Sequence, residues 1–303
     1  MSKLHVNLCG VPFKNPVIAA SGCFAFGSEF KPYMNLNEIG GISLKALTAQ
    51  RREGNPAPRI AETPSGILNA VGLQNPGIDA FLEQYLPELE TLDTVLIANI
   101  AGAAIEEYCQ VAEKLQGVEA VKLIELNISC PNVAHGGAAL GTRPELVEQV
   151  VSAVKPCCDK PLIVKLSPNV TDIVEIALAA QEAGADALSL INTLTGMAVD
   201  LDRRRPVLGN ITGGLSGPAV KPIALRMLNQ VRQAVRLPLI GMGGIMTGRD
   251  AAEFLLCGAT CVMVGTANLV EPTACLRIAR ELDAFLEGKG VADVNDWINT
   301  LIR

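Results

Sequence analysis

The chain has 303 residues, of which 49% are hydrophobic and 18% are charged, and its formal net charge is −6. This composition supplies a large apolar core and argues against a disordered chain. Lys and Arg form no long basic run, so nucleic-acid binding is disfavoured. The longest apolar run, 95–105, is broken by Asn99 and Gly102 and is too short to cross a bilayer. We therefore expect a cytoplasmic protein that binds neither nucleic acid nor membrane.

Nine cysteines are scattered along the chain, and no Cys-x-x-Cys pair occurs among them. Their odd number, with an N-terminus that lacks a sustained apolar segment, indicates a reducing compartment and not a disulfide-bonded secreted protein. The spacing also argues against a structural zinc or an iron–sulfur cluster held by this chain alone. We predict no metal site.

Apolar segments recur along the chain at intervals typical of a repeated strand–helix unit. Residues 3–15 predict a pair of short strands that turn at Cys9 and Gly10. Eight further strand-like segments follow, and most intervals between them carry an amphipathic helical pattern. Eight such repeats in about 250 residues predict an α/β fold, a closed (β/α)8 or TIM barrel, with a doubly wound open sheet as the alternative. The predicted strands are 16–20, 41–46, 95–100, 123–128, 162–166, 187–191, 238–241 and 261–264, and the predicted helices are 78–89, 104–115, 144–154, 172–183, 218–235 and 249–256.

Two of the intervals between strands are long. Residues 48–77 follow the second predicted strand, and residues 195–217 follow the sixth. Both segments leave the carboxyl ends of their strands, where the active sites of such barrels are built. We interpret them as long inserts that form the walls of one site, and we predict a single barrel domain over residues 1–303.

Polar side chains are expected at strand ends on that same face. A buried strand end tolerates Lys or Asn only where a partner satisfies it. No Asp or Glu occurs at these positions, so two lysines and three asparagines indicate an electron-rich ligand. A lysine paired with a carboxylate of the barrel is the structural alternative. The residues are Ser21, Lys45, Asn99, Asn127, Lys165 and Asn192.

The segment NAVGLQNPG, 69–77, contributes Asn69, another asparagine that suits a planar ligand. Asn69, Asn127 and Asn192 each carry a donor and an acceptor, so they can bind an imide ring, which presents both. Lys45 can neutralise a carboxylate on the same ligand. An ordinary Gly-Pro loop is the alternative reading of this segment.

Glycine-rich turns follow the seventh and eighth predicted strands, at 241–244 and 264–268. Backbone N–H groups and helix N-termini bind phosphate at such positions, and Gly213, Gly214 and Gly217 can close over the same region. This signal alone fits aldolases, isomerases and flavin enzymes equally. No G-x-G-x-x-G or Walker sequence is present, so the chain contains no dinucleotide-binding fold of its own.

The segment 122–137, KLIELNISCPNVAHGG, passes from a buried strand into a loop. Pro131 stiffens the strand exit, and two glycines loosen the loop that follows. A thiol at this position, Cys130, has the layout of a catalytic base beneath a lid. Its alternative is a buried small hydrophobe. A Cys-His acyl-transfer pair with His135 is disfavoured, since it leaves the phosphate cradle and Lys165 without a purpose.

Taken together, the motifs resemble those of the dihydroorotate dehydrogenases over essentially the whole chain. They are ASGCFAFG, NAVGLQNPG, ELNISCPN, VKLSPN, INTLTG, ITGGLSGPA, IGMGGI and VGTAN. The resemblance implies an FMN-binding barrel in which Cys130 removes the C5 proton of dihydroorotate while hydride leaves C6 for FMN. It implies that the substrate is held by Lys45, Asn69, Ala70, Val71, Gly72, Leu73, Asn127, Asn132, Asn192 and Thr193. It implies that FMN contacts Ser21, Lys45, Ala46, Asn99, Asn127, Lys165, Ile191, Gly217, Gly243, Gly244, Gly265 and Thr266.

Within that family the sequence is most similar to the cytosolic branch with a cysteine base, and there to the NAD-dependent type. This likeness implies a role in pyrimidine biosynthesis and a homodimer assembled as a heterotetramer with an electron-transfer subunit that carries FAD and a 2Fe-2S cluster. The alternative within the family is the homodimeric type that passes electrons to fumarate. The alternatives outside it are a phosphate-binding aldolase or isomerase, a flavin reductase acting on dihydropyrimidines or on dihydrouridine in tRNA, and a non-catalytic scaffold.

Overall fold

The computed structural model describes residues 3–128 and 140–302. Within these ranges the chain forms sixteen strands and ten α-helices, with short 3-10 turns and one π-helical segment. The strands are β1 (Val6–Leu8), β2 (Val11–Phe13), β3 (Val17–Ala19), β4 (Gly41–Ser43), β5 (Ile60–Thr63), β6 (Gly66–Asn69), β7 (Val95–Ile100), β8 (Val121–Asn127), β9 (Leu162–Lys165), β10 (Ala187–Leu190), β11 (Leu194–Met197), β12 (Val199–Asp200), β13 (Arg205–Pro206), β14 (Thr212–Ser216), β15 (Leu239–Met242) and β16 (Cys261–Val264). The helices are α1 (Ser21–Phe24), α2 (Ile78–Ala80), α3 (Leu86–Leu89), α4 (Ile105–Lys114), α5 (Pro144–Val154), α6 (Ile173–Glu182), α7 (Lys221–Ala234), α8 (Gly248–Leu256), α9 (Ala267–Val270) and α10 (Ala274–Gly288).

Eight of these strands close into a barrel in the order β10-β15-β16-β3-β4-β7-β8-β9. Each neighbouring pair is parallel, and each strand overlaps one of the eight predicted segments. The strands are short and apolar because both of their faces are covered, as in β16, whose four residues are all buried. The predicted (β/α)8 barrel is therefore confirmed, and the open sheet is excluded.

The predicted N-terminal strand pair is also present. Strands β1 and β2 are antiparallel, with Val6 opposite Phe13, and the turn between them has positive φ at Cys9 and Gly10. Phe13 is fully buried, and its ring lies so close to Gly41 at the start of β4 that a side chain there would crowd it. The pair thus packs against the amino end of the barrel, opposite the carboxyl ends of the strands, where the site is predicted.

The six predicted helices are present, but two of them are not regular α-helices throughout. The segment 78–89 contains a π-helical turn, Phe81–Tyr85, before Pro87, which has no N–H to continue an α-helical ladder. The segment 218–235 starts as the 3-10 turn Pro218–Val220 and continues as α7. The longest helix, α10, was not predicted. No helix in the two described ranges is long and apolar enough to cross a membrane.

The two long inserts pair with each other, which the sequence did not predict. Strands β5 and β6 of the first insert and β11 and β14 of the second form one antiparallel sheet in the order β11-β14-β6-β5. The join runs between β14 and β6, where Gly214 is opposite Asn69. A small separate core of Ala61, Leu68, Ala70 and Leu208 packs within this inserted sheet. The predicted inserts after strands two and six are therefore one structural layer.

Candidate active site

A cavity lies at the carboxyl ends of the barrel strands and is bounded on its other side by the inserted sheet. Most of the site residues predicted from the sequence line it, although they come from segments far apart in the chain. The predicted residues that line the cavity are Ser21, Lys45, Ala46, Asn69, Val71, Gly72, Leu73, Asn127, Lys165, Ile191, Asn192, Thr193, Gly217, Gly243, Gly244, Gly265 and Thr266.

Two of the other predicted residues are described and do not line the cavity, and two lie outside the described residues. Ala70 is buried in the small core of the inserted sheet, so only its backbone can serve a ligand. Asn99 is completely buried and lies behind the cavity wall, where it contacts Asn127. Cys130 and Asn132 lie outside the described residues. Their roles stay predictions.

Lys165 carries one of the two lysine ammonium groups of the cavity. The residue is only 6% exposed. Within the described residues its Nζ makes no hydrogen bond, and the oxygen with which it forms an ion pair, Oε2 of Glu125, lies 3.8 Å away. A buried ammonium that is not hydrogen-bonded to protein is costly unless a ligand or water accepts from it. The group is thus placed to donate into the cavity.

Glu125 is a carboxylate that the sequence argument overlooked, because it lies inside a strand and not at its end. It is fully buried in β8 and pairs with Lys165. Acidic residues were sought only at strand ends, and this carboxylate within a strand was therefore missed. The lysine has both a carboxylate partner behind it and an open side toward the cavity, which combines the two alternatives that the sequence offered.

The amides at the strand ends form a connected chain. Asn127 Nδ2 donates to Asn99 Oδ1 at 3.4 Å, and Asn99 Nδ2 donates to Glu125 Oε2 at 2.5 Å. The backbone of Asn127 is held as well, because the buried Tyr108 hydroxyl donates to its carbonyl at 3.1 Å. Asn99 thereby orients the amide that lines the cavity without facing the cavity itself.

The first insert carries Asn69 and the turn 70–73 to the cavity. Asn75 fastens this segment, since its Oδ1 accepts from the backbone N–H groups of Thr48 and Gly77 and its Nδ2 donates to the carbonyl of Leu73. Gly72 and Leu73 both have positive φ, so the turn exposes its backbone. The hydrogen bonds of Asn75 thus fix the turn, so the alternative of an ordinary Gly-Pro loop does not describe this segment.

Asn192 and Thr193 are positioned by a residue that the sequence analysis did not single out. Asn169, which follows β9, donates to the carbonyl of Thr193 at 2.9 Å and accepts from the N–H of Thr195 at 2.9 Å. Asn192 Oδ1 accepts from the N–H of Thr193. The motif VKLSPN contained Asn169, and an asparagine two residues after a strand-end serine was the available signal.

The glycine turns after β15 and β16 form a cradle of backbone donors. Gly243 and Gly244 have φ of 123° and 75°, which glycine adopts without strain. The N–H groups of Gly243, Gly244, Gly265 and Thr266 find no acceptor among the described residues. Thr266 also donates its hydroxyl to Ser216 at 2.8 Å, which joins this cradle to the inserted sheet. Convergent free N–H groups are the donors that a phosphate requires.

The expected contribution of helix N-termini to this cradle is wrong for α8. Its first turn is closed by a capping box in which Thr247 and Asp250 bond each other's backbone N–H groups. Asp250 also accepts from the N–H of Met246, and Glu281 accepts from the N–H of Gly248. Carboxylates of the protein thus satisfy this helix end, and the donors of the cradle come from the loop glycines and Thr266 instead.

A second thiol, Cys23, lines the cavity beside Gly265. Burial raises the pKa of this thiol to about 11, although the ammonium groups of Lys165 and Lys45 act in the opposite direction. Cys23 is therefore protonated at neutral pH and does not serve as a base there.

Chemically, these residues suit a phosphate-bearing planar cofactor beside an anionic, hydrogen-bonding substrate. The cradle of N–H groups fits the phosphate, and Lys165 with the neighbouring amides fits an electron-rich ring system. Such a site at the carboxyl ends of a closed barrel defines a phosphate-cofactor barrel enzyme.

Comparison with known proteins defines the class further. The family model described as dihydroorotate dehydrogenase matches residues 3–286, and the chain belongs to this family of FMN-dependent oxidoreductases. The chain is 57% identical over 298 residues to a protein of Geobacter sulfurreducens, with 98% of each chain covered. It is 53% identical over 301 residues to one of Desulforudis audaxviator, covering 99% of this chain and 98% of that one. Both relatives are named dihydroorotate dehydrogenase B (NAD(+)), catalytic subunit.

Proposed function

We propose that this chain oxidises dihydroorotate to orotate in pyrimidine biosynthesis and delivers the electrons to NAD through a partner subunit. One observation carries the proposal: backbone N–H groups that find no acceptor within the described part of the chain share a single cavity with two lysines and the amides of three strand or insert ends. An aldolase or isomerase would use the cradle for its substrate and has no need of this amide cluster. The names of the relatives support the same reaction.

The substrate is an anion with an imide ring, and the cavity offers a group for each part of it. The Lys45 ammonium neutralises the substrate carboxylate. The amides of Asn69, Asn127 and Asn192 donate to and accept from the imide. The Thr193 hydroxyl, the backbone of 70–73 and the Asn132 side chain complete the set. Because several of these groups come from the inserted sheet, the sheet has to be in place before the substrate is held.

FMN, when bound, supplies the acceptor for the hydride that leaves C6 of the substrate. Gly243, Gly244, Gly265 and Thr266 would hold its phosphate by their N–H groups. The remaining residues of the flavin set would contact the rest of the cofactor. Among them, the Lys165 ammonium would stabilise the negative charge of the reduced ring.

Cys130 takes the proton from C5, so that loss of a proton at C5 and of hydride at C6 leaves the C5=C6 double bond of orotate. An ordinary thiol has a pKa near 8.5 and is mostly protonated at neutral pH. If proton abstraction limits turnover, the rate therefore rises with pH until the thiolate predominates.

The partner subunit carries FAD and a 2Fe-2S cluster in this proposal, because the chain offers no cluster-binding cysteine motif and no dinucleotide-binding sequence of its own. Two copies of the chain and two partner subunits make up the heterotetramer. The word "subunit" in the names of the relatives agrees with such an assembly.

The test uses the purified chain, with and without its partner. We expect a yellow protein that releases FMN on denaturation and whose flavin is bleached by dihydroorotate under anaerobic mixing. NAD reduction should require the partner subunit. A colourless protein, or flavin that dihydroorotate does not reduce, would contradict the reaction itself. Turnover of the lone chain with fumarate would support the oxidation of dihydroorotate but make fumarate, and not NAD, the electron acceptor.

A further inference from the structure

The carboxylate of Glu125 is held at the centre of the barrel by side chains from four other strands. Ser189 of β10 donates its hydroxyl to Oε1 at 2.7 Å, and Ser43 of β4 donates to Oε2 at 2.8 Å. Asn99 of β7 donates to Oε2 at 2.5 Å, and the Lys165 ammonium of β9 lies 3.8 Å from the same oxygen. All but Lys165 are completely buried. The surrounding donors match an ionised carboxylate, which only accepts hydrogen bonds.

Glu125 does not line the cavity, but it touches groups that do. Lys165 lines the cavity and has Glu125 as its ion-pair partner. Asn127 also lines it and is joined to Glu125 through Asn99. The carboxylate thus reaches the cavity lining directly at Lys165 and through one intervening side chain, Asn99, at Asn127.

A purely structural role would explain the burial poorly. Replacing a buried ion pair by apolar residues of similar volume is often neutral or stabilising, so such a pair is weak evidence for a stability function. The 3.8 Å separation is also informative, because the ammonium is close enough for charge attraction but is not hydrogen-bonded to the carboxylate. Glu125 therefore attracts the ammonium without using its hydrogen-bond donors.

We propose that Glu125 is a positioning residue that holds the Lys165 ammonium and the Asn99 amide against the cavity wall and that its negative charge lowers the reduction potential of the bound flavin. This inference rests on the proposed function, since it requires FMN in the cavity. An ammonium beside the flavin favours the reduced, negatively charged state, and a carboxylate behind the ammonium offsets that effect. In a site shielded from water, both charges act strongly.

The experiment measures the midpoint potential of the FMN-loaded chain by equilibration with redox dyes. In Glu125→Gln the ammonium is no longer offset, so the equilibrium constant for two-electron reduction rises at least about tenfold, equivalent to about 30 mV. In Lys165→Met the carboxylate is left alone, so the constant falls by a similar factor. The double variant removes both charges and returns the constant to within about threefold of the unmodified chain.

Controls separate this electrostatic role from packing. Ser189→Ala alters the same layer of the barrel without changing a charge, and we expect its equilibrium constant for two-electron reduction to stay within about threefold of the unmodified chain. Because uncompensated buried charge threatens folding, the double variant is the more robust one, and its difference from Lys165→Met reports on Glu125 even if Glu125→Gln does not fold.

Two results would overturn the inference in different ways. If the unmodified chain holds FMN and the double variant has the same potential as Lys165→Met, Glu125 has no electrostatic role and the proposed function stands. If the unmodified chain holds no FMN at all, the proposed function fails and the inference fails with it.

Discussion

Two cysteines are candidates for the base, and the chemistry expected of their thiols differs. Cys23 lines the cavity, but burial raises its pKa to about 11. A thiol acts as a base or nucleophile only through its thiolate, and the thiolate of Cys23 is a very small fraction at neutral pH. Cys130, which lies outside the described residues, is the proposed base. The two residues can therefore be distinguished by substitution and by titration.

Replacing Cys130 by Ala should lower the rate of flavin reduction by dihydroorotate about 10²- to 10⁴-fold, the usual contribution of a positioned base. FMN content should not change, because Cys130 is not among the residues proposed to bind FMN. Anaerobic stopped-flow absorbance measures the rate. Cys23→Ala is the matched control and should keep the rate within a few-fold. Equal rates for the Cys130 variant and the unmodified chain would remove Cys130 from the mechanism.

The alkylation of Cys23 by iodoacetamide should be slow at neutral pH and should increase about tenfold per pH unit up to about pH 10. This follows because the folded thiol has a pKa of about 11, so its thiolate fraction is still rising throughout that range. The modified peptide is quantified by mass spectrometry. The denatured chain is the control, since its thiol has an ordinary pKa and its rate levels off earlier. An early plateau in the folded protein would show that the site stabilises the thiolate.

The same pKa has a consequence for stability. The folded state keeps the Cys23 proton to a higher pH than the unfolded state does, because its pKa is raised from 9.0 to about 11. The unfolded state therefore gains stability by ionising once the pH exceeds about 9, and folding becomes less favourable between pH 9 and 11. Below pH 9 this residue contributes no pH dependence.

At the scale of single elements, the barrel strands were predictable and the inserted sheet was not. A segment such as CVMV of β16 is apolar throughout because it is covered on both faces, and this signal is local. The strands TGGLS of β14 and GILN of β6 lack such a run, and they pair across about 145 residues of sequence. No pattern in either segment specifies the other, so the pairing is visible only in the fold.

The candidate site shows the same division. Lysines and asparagines at strand ends were found because a polar residue closing an apolar strand is conspicuous. Glu125 and the serines around it escaped notice because they lie inside strands, where the burial of a charge depends on donors from other strands. The free N–H groups of the glycine turns were expected, whereas the closure of the α8 terminus by Asp250 was not.

The glycine turn after β15 offers a test of the phosphate cradle. Gly244 has φ of 75°, and a Cβ there would lie 2.9 Å from the carbonyl oxygen of Gly217. Gly244→Ala should therefore distort the turn and weaken FMN binding at least about tenfold, as measured by fluorescence titration of the apoprotein. The loss reflects both the left-handed backbone and the clash.

Gly117 provides the matched control for that substitution. It has a similar φ of 70°, but a Cβ there would meet no heavy atom within 4 Å, and it lies outside the cavity. Gly117→Ala should cost about 1 kcal/mol of unfolding free energy from backbone strain and leave FMN affinity unchanged. If both variants bind FMN like the unmodified chain, the turn after β15 is not part of the cradle.

At the scale of the whole molecule, cofactor and fold are linked. The proposed cofactor site draws residues from the strand ends and from the inserted sheet, so bound FMN ties the two layers together. Removing FMN should lower the free energy of unfolding by about 2.7 kcal/mol relative to protein in free FMN at a hundred times its dissociation constant. Thermal unfolding at increasing FMN concentration measures the effect. A melting temperature that does not depend on FMN would contradict specific binding to the folded chain.

The joining of β14 to β6 also bears on how relatives of this chain can be recombined. Residues 48–77 and 195–217 are remote in sequence, yet they share hydrogen bonds and a small core of their own. A hybrid gene that takes one segment from a second parent and leaves the other behind would mismatch the seam between them. Laboratory exchange of substrate preference between relatives should therefore transplant both stretches at once.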